Sequence, residues 1–230
     1  MSAGVALVTG AAGAIGGAIV RRLADDGFTV AGVDVAVGAD YRCDVRSEEE
    51  VLHLRGEVEG RHGTPSLLVN VAGAFFEHRI TELSVDDWDL LLDTNLKGTF
   101  LTCKTFMPAM IAAGSGCVVN VGSTAGIKGG YNRAAYCAAK AGVVNLSRSL
   151  ALDHGGDGVR VCCVCPGLID TPMADWITSR PDELAAFEES IPVRRIGTID
   201  DVAGAVSFLA SDAADYMHGA VMIVDGGVSA

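Results

Sequence analysis

Strand-like and helix-like segments alternate along the whole 230-residue chain, and this constrains its fold more than any other feature. "VALVT" (5–9) is an apolar run that ends at glycines, and "AIGGAIVRRLADDG" (14–27) then carries apolar residues at helical spacing. "FTVAGVD" (28–34) is the second predicted strand, "YRCDV" (41–45) the third and "LLVN" (67–70) the fourth. A helix is predicted over 47–60, opened by Ser47 and Glu50 in capping-box spacing. Ser84 with Asp87 opens another, followed by a separate helix over 97–110. "CVVNVGS" (117–123), a helix over 136–152, "VRVCCVCPG" (159–167), a helix over 200–210 and "AVMIVDGG" (220–227) complete the series.

Such alternation predicts an α/β fold, a parallel sheet with helices on both faces that binds ligands beyond the carboxyl ends of its strands. "VAVGAD" between Asp34 and the third strand is too short for a crossover helix, so a loop is expected there. With half its residues hydrophobic, 29 Gly, 6 Pro and no linker or repeat, the chain reads as one globular domain over 1–230.

The formal charge of −12 argues against a phosphate-binding surface, and so against nucleic-acid partners. "MSAGVALVTG" lacks the basic start and apolar core of a signal peptide, and no apolar stretch has membrane-spanning length. No membrane association and a cytoplasmic location are the expectations. The seven cysteines follow no disulfide-scaffold spacing. In "VCCVCPG", strand alternation puts Cys163 and Cys165 on one face and Cys162 on the other, so these thiols read as small hydrophobes and no metal is expected.

"VTGAAGAIGG" reads as strand, glycine turn and helix start, a combination that lets backbone N–H groups approach a pyrophosphate. Asp34, about 20 positions on at the tip of the next strand, can accept hydrogen bonds from the adenosine ribose hydroxyls. The same carboxylate repels a 2′-phosphate. Between Thr9 and Asp40 the cations are Arg21 and Arg22, well inside a helix, so NAD(H) is expected over NADP(H).

Tyr136 and Lys140 are four apart on a predicted helix and share a face. A phenol with its ordinary pKa near 10 is a poor base at neutral pH. An ammonium at ~4 Å in an effective dielectric near 20 is worth about 4 kcal/mol, roughly three pKa units before desolvation subtracts its share. Lys140 is thus expected to bring the phenol toward neutrality, where general acid/base catalysis works best.

"TGAAGAIG", Asp44 with Val45, "NVAG" (70–73), "TNLKG" (94–98), Ser123, "YCAAK" (136–140), "PGLIDT" (166–171) and "VDGG" together resemble the short-chain dehydrogenase/reductase family across essentially the whole chain. The resemblance implies a Rossmann-type, doubly wound parallel sheet of about seven strands. Two departures stand out: Ala14 occupies a glycine position of the compact members' TGxxxGxG, and their usual NNAG is NVAG here. Gly13 makes the turn also read TGxxGxxG, as in longer sugar-nucleotide epimerases, but too little chain follows Pro166 for their extra substrate domain. The compact branch is expected.

By that resemblance Ser123, Tyr136 and Lys140 are the catalytic residues, with Asn95 holding a water that links the lysine to solvent. A helix-capping or kinking role is the alternative for Asn95. The resemblance also implies cofactor contacts from Gly10, Gly13, Ile15, Gly16, Asp34, Asp44, Val45, Asn70, Ala72, Gly73, Thr94, Tyr136, Lys140, Pro166, Gly167, Ile169 and Thr171. Tyr136 would exchange a proton with a secondary alcohol or ketone while NAD(H) exchanges a hydride, and Lys140 would also bind the nicotinamide ribose.

Phe75 and Phe76 fall beside the nicotinamide by this resemblance, and Met173, Trp176 and Ile177 in a segment the family uses as a lid. They suggest a partly hydrophobic small-molecule substrate. Arg79, Lys128 and Arg133 could meet a carboxylate, with surface solvation as the alternative. The last third, "IPVRRIGTIDDVAGAVSFLASD", resembles 3-oxoacyl-carrier-protein reductases, yet the acidic chain and the uncharged loop "AAGSGC" (112–117) disfavour docking of an acidic carrier protein. The short connection after Asp34 resembles dihydrodiol dehydrogenases. A non-catalytic NAD(H) sensor is the alternative of another class, disfavoured by Ser123, Tyr136 and Lys140 standing together. Family members form dimers and tetramers, so a homo-oligomer is expected.

Overall fold

In the computed structural model, which describes residues 4–230, seven parallel strands form one sheet in the order β3-β2-β1-β4-β5-β6-β7. They are β1 (Val5–Thr9), β2 (Thr29–Asp34), β3 (Tyr41–Arg42), β4 (Leu67–Asn70), β5 (Gly116–Val121), β6 (Val159–Pro166) and β7 (Val221–Val224). Helices α1 (Ala14–Asp25), α2 (Glu48–His62), α3 (Val85–Leu92), α4 (Gly98–Ala113) and α5 (Ala134–His154) lie between successive strands. The short α6 (Asp175–Thr178), α7 (Pro181–Ser190) and α8 (Ile199–Ala210) separate β6 from β7. The architecture is the Rossmann-like α/β fold.

Alternation along each strand decides which helices cover which face. Leu7, Val33, Leu68 and Val118 pack with Val51 and Leu54 of α2 and Phe106 and Met110 of α4. Their neighbours in sequence, Ala6, Val8, Val69 and Val119, pack on the opposite face with Ile19 and Leu23 of α1 and Val206 and Leu209 of α8. Both faces are therefore dry, which is why the strands read as continuous apolar runs rather than alternating ones. Cys162 joins the α1/α8 side while Cys163 and Cys165 face Val143 and Val144 of α5, as strand alternation requires.

The loop expected between β2 and β3 is present, and Asp40 closes it by accepting the Gly32 N–H at 2.8 Å. The third strand is shorter than "YRCDV", however. Only Tyr41 and Arg42 pair with β2, because the Asp44 carboxylate accepts the Arg46 N–H and turns the chain. Ser47 caps α2 as expected, but the box is half formed: Glu50 reaches past Ser47 to accept the Asp44 N–H at 2.8 Å.

The two helices expected after Ser84 are one continuous run. A wider helical turn over Asp93–Lys97 joins α3 to α4, and Asn95 sits inside it. Widened turns of this kind re-aim a helix face and concentrate at functional sites. Among the described residues no helix is long and apolar enough to cross a membrane.

Candidate active site

The chain crosses from β1 out to β2 and β3, then returns to β4 on the other side of β1. That reversal opens a crevice at the carboxyl ends of the strands. A cavity of about 830 Å³ occupies it, within the range of small-molecule and cofactor sites.

The glycine turn after β1 forms the floor of one half. Gly10 has φ +70°, and a β-carbon on it would lie 2.8 Å from the Ala72 nitrogen. A β-carbon on Gly16 would collide with the Gly10 carbonyl. Glycine is required at both positions. Gly13 flanks the start of α1, no side chain caps that helix, and Ala14 lines the cavity beside Ile15 and Gly16. The free N–H groups of the first turn thus face open space, an arrangement that suits a pyrophosphate.

Asp34, at the end of β2, fastens this half. One carboxylate oxygen accepts the Ala12 N–H of the turn at 3.0 Å and the other accepts the Ala36 N–H at 3.0 Å. Asp44 and Val45 line the same wall. Arg46, which sequence reasoning did not single out, lines it too and grips Asp44 through its backbone and guanidinium, holding that carboxyl below its usual range.

Beyond β4, Ala72 and Gly73 line the cavity while Thr9 accepts the Val71 and Ala72 N–H groups. Asn70 does not line it. Its amide donates to Asn120 at 2.9 Å and accepts from the Thr102 hydroxyl at 2.7 Å, inside the sheet. The strand register explains this: Thr9, Asn70 and Asn120 stand side by side on β1, β4 and β5, and all three are buried. Pro166, Gly167, Ile169 and Thr171 after β6, and Thr94 in the widened turn, also line the cavity.

Ser123, Tyr136 and Lys140 converge on the other half together with Asn95. Ser123 leaves β5 in an extended conformation and its hydroxyl accepts the Ala125 N–H at 3.1 Å. Tyr136 and Lys140 share one face of α5, with the ammonium 5.8 Å from the phenol ring centre. Lys140 is 5% exposed and donates to the Val121 carbonyl at 2.9 Å.

The electrostatics differ from the expectation that Lys140 draws the phenol toward neutrality. Burial pushes the Tyr136 pKa above its ordinary value, while the Ser123 hydroxyl and the Arg133 charge pull it down and the Cys137 and Cys165 thiols oppose them. Burial also pulls Lys140 down to about 8. The ammonium is spent on a backbone carbonyl, and desolvation outweighs the favourable charges.

Asn95 sits inside the widened helical turn, where the kinking role weighed for it would put it. Its Nδ2 donates to the Leu91 and Ala74 carbonyls, each at 2.9 Å, which holds the widened turn against the segment after β4. Its Oδ1 is buried with no partner. That oxygen and the Lys140 ammonium both stand over Gly73, 2.7 and 3.7 Å from where a β-carbon would be. An unpartnered acceptor costs free energy unless water or a ligand meets it.

Phe75, Met173 and Trp176 line the cavity, with Leu90 and Phe187. Phe76 instead meets His78, and Ile177 is buried within α6. Arg133 lines the cavity between Phe75 and Trp176, and Lys128, also in the lining, donates to the Val228 carbonyl at 3.3 Å. Arg79 lies outside the lining.

The chain matches the family described as enoyl-(acyl carrier protein) reductase over residues 10–229. It is 40% identical to the cis-4-hydroxycyclohexanecarboxylate dehydrogenase of Sinomonas cyclohexanicum, over 98% of this chain and 96% of that one. It is 33% identical to the 3-oxoacyl-acyl-carrier-protein reductase of Thermotoga maritima, over 97% of each. The ligand-free aldohexose dehydrogenase of Thermoplasma acidophilum superposes with a TM-score of 0.92 at 32% identity, covering 98% of this chain and 94% of that one. The chain belongs to the short-chain dehydrogenase/reductase family. Its relatives include secondary alcohol dehydrogenases and oxoacyl reductases, which makes it an oxidoreductase of that family.

Proposed function

We propose that this chain is an NAD(H)-dependent alcohol dehydrogenase/ketoreductase acting on a small, partly apolar secondary alcohol or ketone, with residues 1–230 as one dinucleotide-binding and catalytic unit. The observation that carries the reading is the convergence of Ser123, Tyr136, Lys140 and the orphaned Asn95 oxygen on a cavity whose far half is the glycine turn fastened by Asp34. The open first turn of α1, the glycine turn in the cavity lining and the unpartnered Asn95 oxygen fit a dinucleotide. Asp34 stands for NAD(H), because its charge opposes a 2′-phosphate.

The chemistry a bound nicotinamide brings is hydride exchange with the carbinol carbon. Tyr136 supplies the matching proton. Its raised pKa keeps the phenol protonated at neutral pH, so in the reducing direction it donates to the ketone oxygen as the alcohol forms. Ser123 offers a hydroxyl to the same oxygen and stabilises the charge that develops there. Lys140 and Asn95 hold the polar edge behind the tyrosine, through which the phenol regains its proton from solvent. In the oxidising direction each proton step reverses.

Phe75, Met173, Trp176 and Leu90 give the substrate half an apolar wall. This favours a compact carbon skeleton over a carrier-protein thioester, in line with the acidity of the chain and with the ring substrate named for the Sinomonas relative. Seven free thiols fit a reducing, cytoplasmic setting. The exposed Phe100 on α4 and Leu152 on α5 fit a homo-oligomer.

The test is turnover by the purified protein against cyclic and linear ketones and secondary alcohols, with NAD(H) and NADP(H). Tyr136→Phe is expected to bind NADH and to lose turnover. An unchanged kcat in that variant refutes the assignment, and tight NADH binding with no turnover of any substrate favours a sensor.

A further inference from the structure

Arg133 stands three residues before Tyr136, at the start of α5, where three separate segments meet. Its Nε and Nη2 both reach Glu77 Oε1 at 2.6 Å, and the two side chains are 29% and 33% exposed. Its guanidinium carbon lies 5.2 Å from the Phe75 ring centre and 5.4 Å from that of Trp176. Phe75 in turn meets the Tyr136 ring nearly edge-on, with centres 4.9 Å apart and planes at 78°. Just before Arg133, Asn132 has φ +58° and its carbonyl accepts the His78 N–H at 2.8 Å, fastening the same loop a second time.

Phe75 and Glu77 come from the loop after β4, Tyr136 from α5 and Trp176 from α6. One planar cation therefore touches a ring of the loop and a ring of α6, and the loop ring touches the Tyr136 phenol. We propose that Arg133 is a positioning residue for the reaction: its guanidinium, oriented by Glu77, pins the Phe75–Trp176 wall over Tyr136, so that the placement of α6 and of the phenol are set together. The pinning stands on the contacts alone; its effect on rate rests on the function proposed above.

The shape of the cation matters as much as its charge. A guanidinium is flat, weakly hydrated and stacks on aromatic faces, whereas an ammonium is compact and strongly hydrated. Lysine at this position keeps the charge and loses the stack. Charge and stack also have different readouts. The groups that face the phenol are Ser123 at the end of β5, Cys165 on β6, and Arg133, Cys137 and Lys140 on α5. Of these, Arg133 favours the phenolate, so its removal moves the phenol pKa further up.

The experiment uses the full chain with Trp88→Phe, which leaves Trp176 as the only tryptophan. Arg133→Gln and Arg133→Lys are compared in this background. Acrylamide quenching of Trp176 fluorescence reads the stack; kcat, KM and the pH profile of alcohol oxidation read the phenol. Arg133→Gln is expected to make Trp176 more accessible, to shift the oxidation profile to higher pH and to lower kcat by about 10-fold to 100-fold, the scale of a small misplacement at a reacting centre. Arg133→Lys is expected to restore the pH profile but not the protection of Trp176.

Unchanged quenching in Arg133→Gln overturns the proposal, as does full rescue of both readouts by lysine. Should the glutamine variant fail to fold, the lysine variant alone decides: Trp176 as protected as in the parent overturns the pin. A parent protein without turnover on any substrate defeats the function proposed above and leaves the quenching result to decide Arg133.

Discussion

The Lys140 ammonium donates to the Val121 carbonyl at 2.9 Å, so α5 is tied to the end of β5 by a side chain that is 5% exposed. Burial lowers its pKa from 10.5 to about 8, which means the fold disfavours the charge that the unfolded chain carries freely.

Lys140→Met is accordingly expected to stabilise the protein while abolishing activity. Below pH 8 the buried charge costs the native state about 3 kcal/mol, from a shift of about two and a half units at about 1.36 kcal/mol each, less about 1 kcal/mol for the lost Val121 hydrogen bond. Between about pH 8 and 10.5 the unfolded state binds more protons than the native one, so wild-type stability rises with pH and the advantage of the variant disappears. Denaturant titrations across that window check the sign. A wild type more stable than the variant at pH 7 contradicts it.

Ser123→Ala removes a group that favours the Tyr136 phenolate. Its expected effects are a loss of about 100-fold in kcat, the scale of one oxyanion-stabilising donor, and an alcohol-oxidation profile displaced to higher pH. Steady-state kinetics over a pH series measure both.

Asp34→Ala is expected to narrow the preference for NADH over NADPH by about 10-fold or more, since each 1.4 kcal/mol of removed repulsion is one factor of ten. It also unfastens the glycine turn from β2, because Ala12 and Ala36 lose their acceptors. KM for NADH should therefore rise while KM for NADPH falls. The ratio of kcat/KM for the two dinucleotides is the measurement, and an unchanged ratio counts against Asp34 as the discriminating residue.

Asn120→Leu breaks a buried chain that runs from Thr102 through Asn70 and Asn120 to Ser147 and on to the Val143 carbonyl. It strands polar groups of Asn70 and Ser147 and is expected to cost about 3 kcal/mol. The double variant with Asn70→Leu should cost less than the sum of the two single changes, since the two amides satisfy each other. Equilibrium unfolding of the four proteins in the cycle decides it.

The alternation of strands and helices, the glycine turn, the acidic residue at the tip of β2 and the Tyr136–Lys140 face were all legible along the chain. Each is a local pattern: periodicity, a backbone that only glycine can adopt, or two residues one helical turn apart. Ser47 and Ser84 marked their helix starts for the same reason.

Other features depended on segments far apart in sequence. Asn70 carries a motif that suggests ligand contact, yet Asn120, 50 residues on, and Thr102 consume its amide. Arg133 reads as a surface cation until Phe75, Glu77 and Trp176 enclose it. The ionisation of Tyr136 and Lys140 was decided by burial, which spacing on a helix does not report, because desolvation depends on everything that folds around a group. Local pattern determined which elements form and where the reactive side chains sit on them; tertiary packing decided which polar atoms remain free and how much each charge costs.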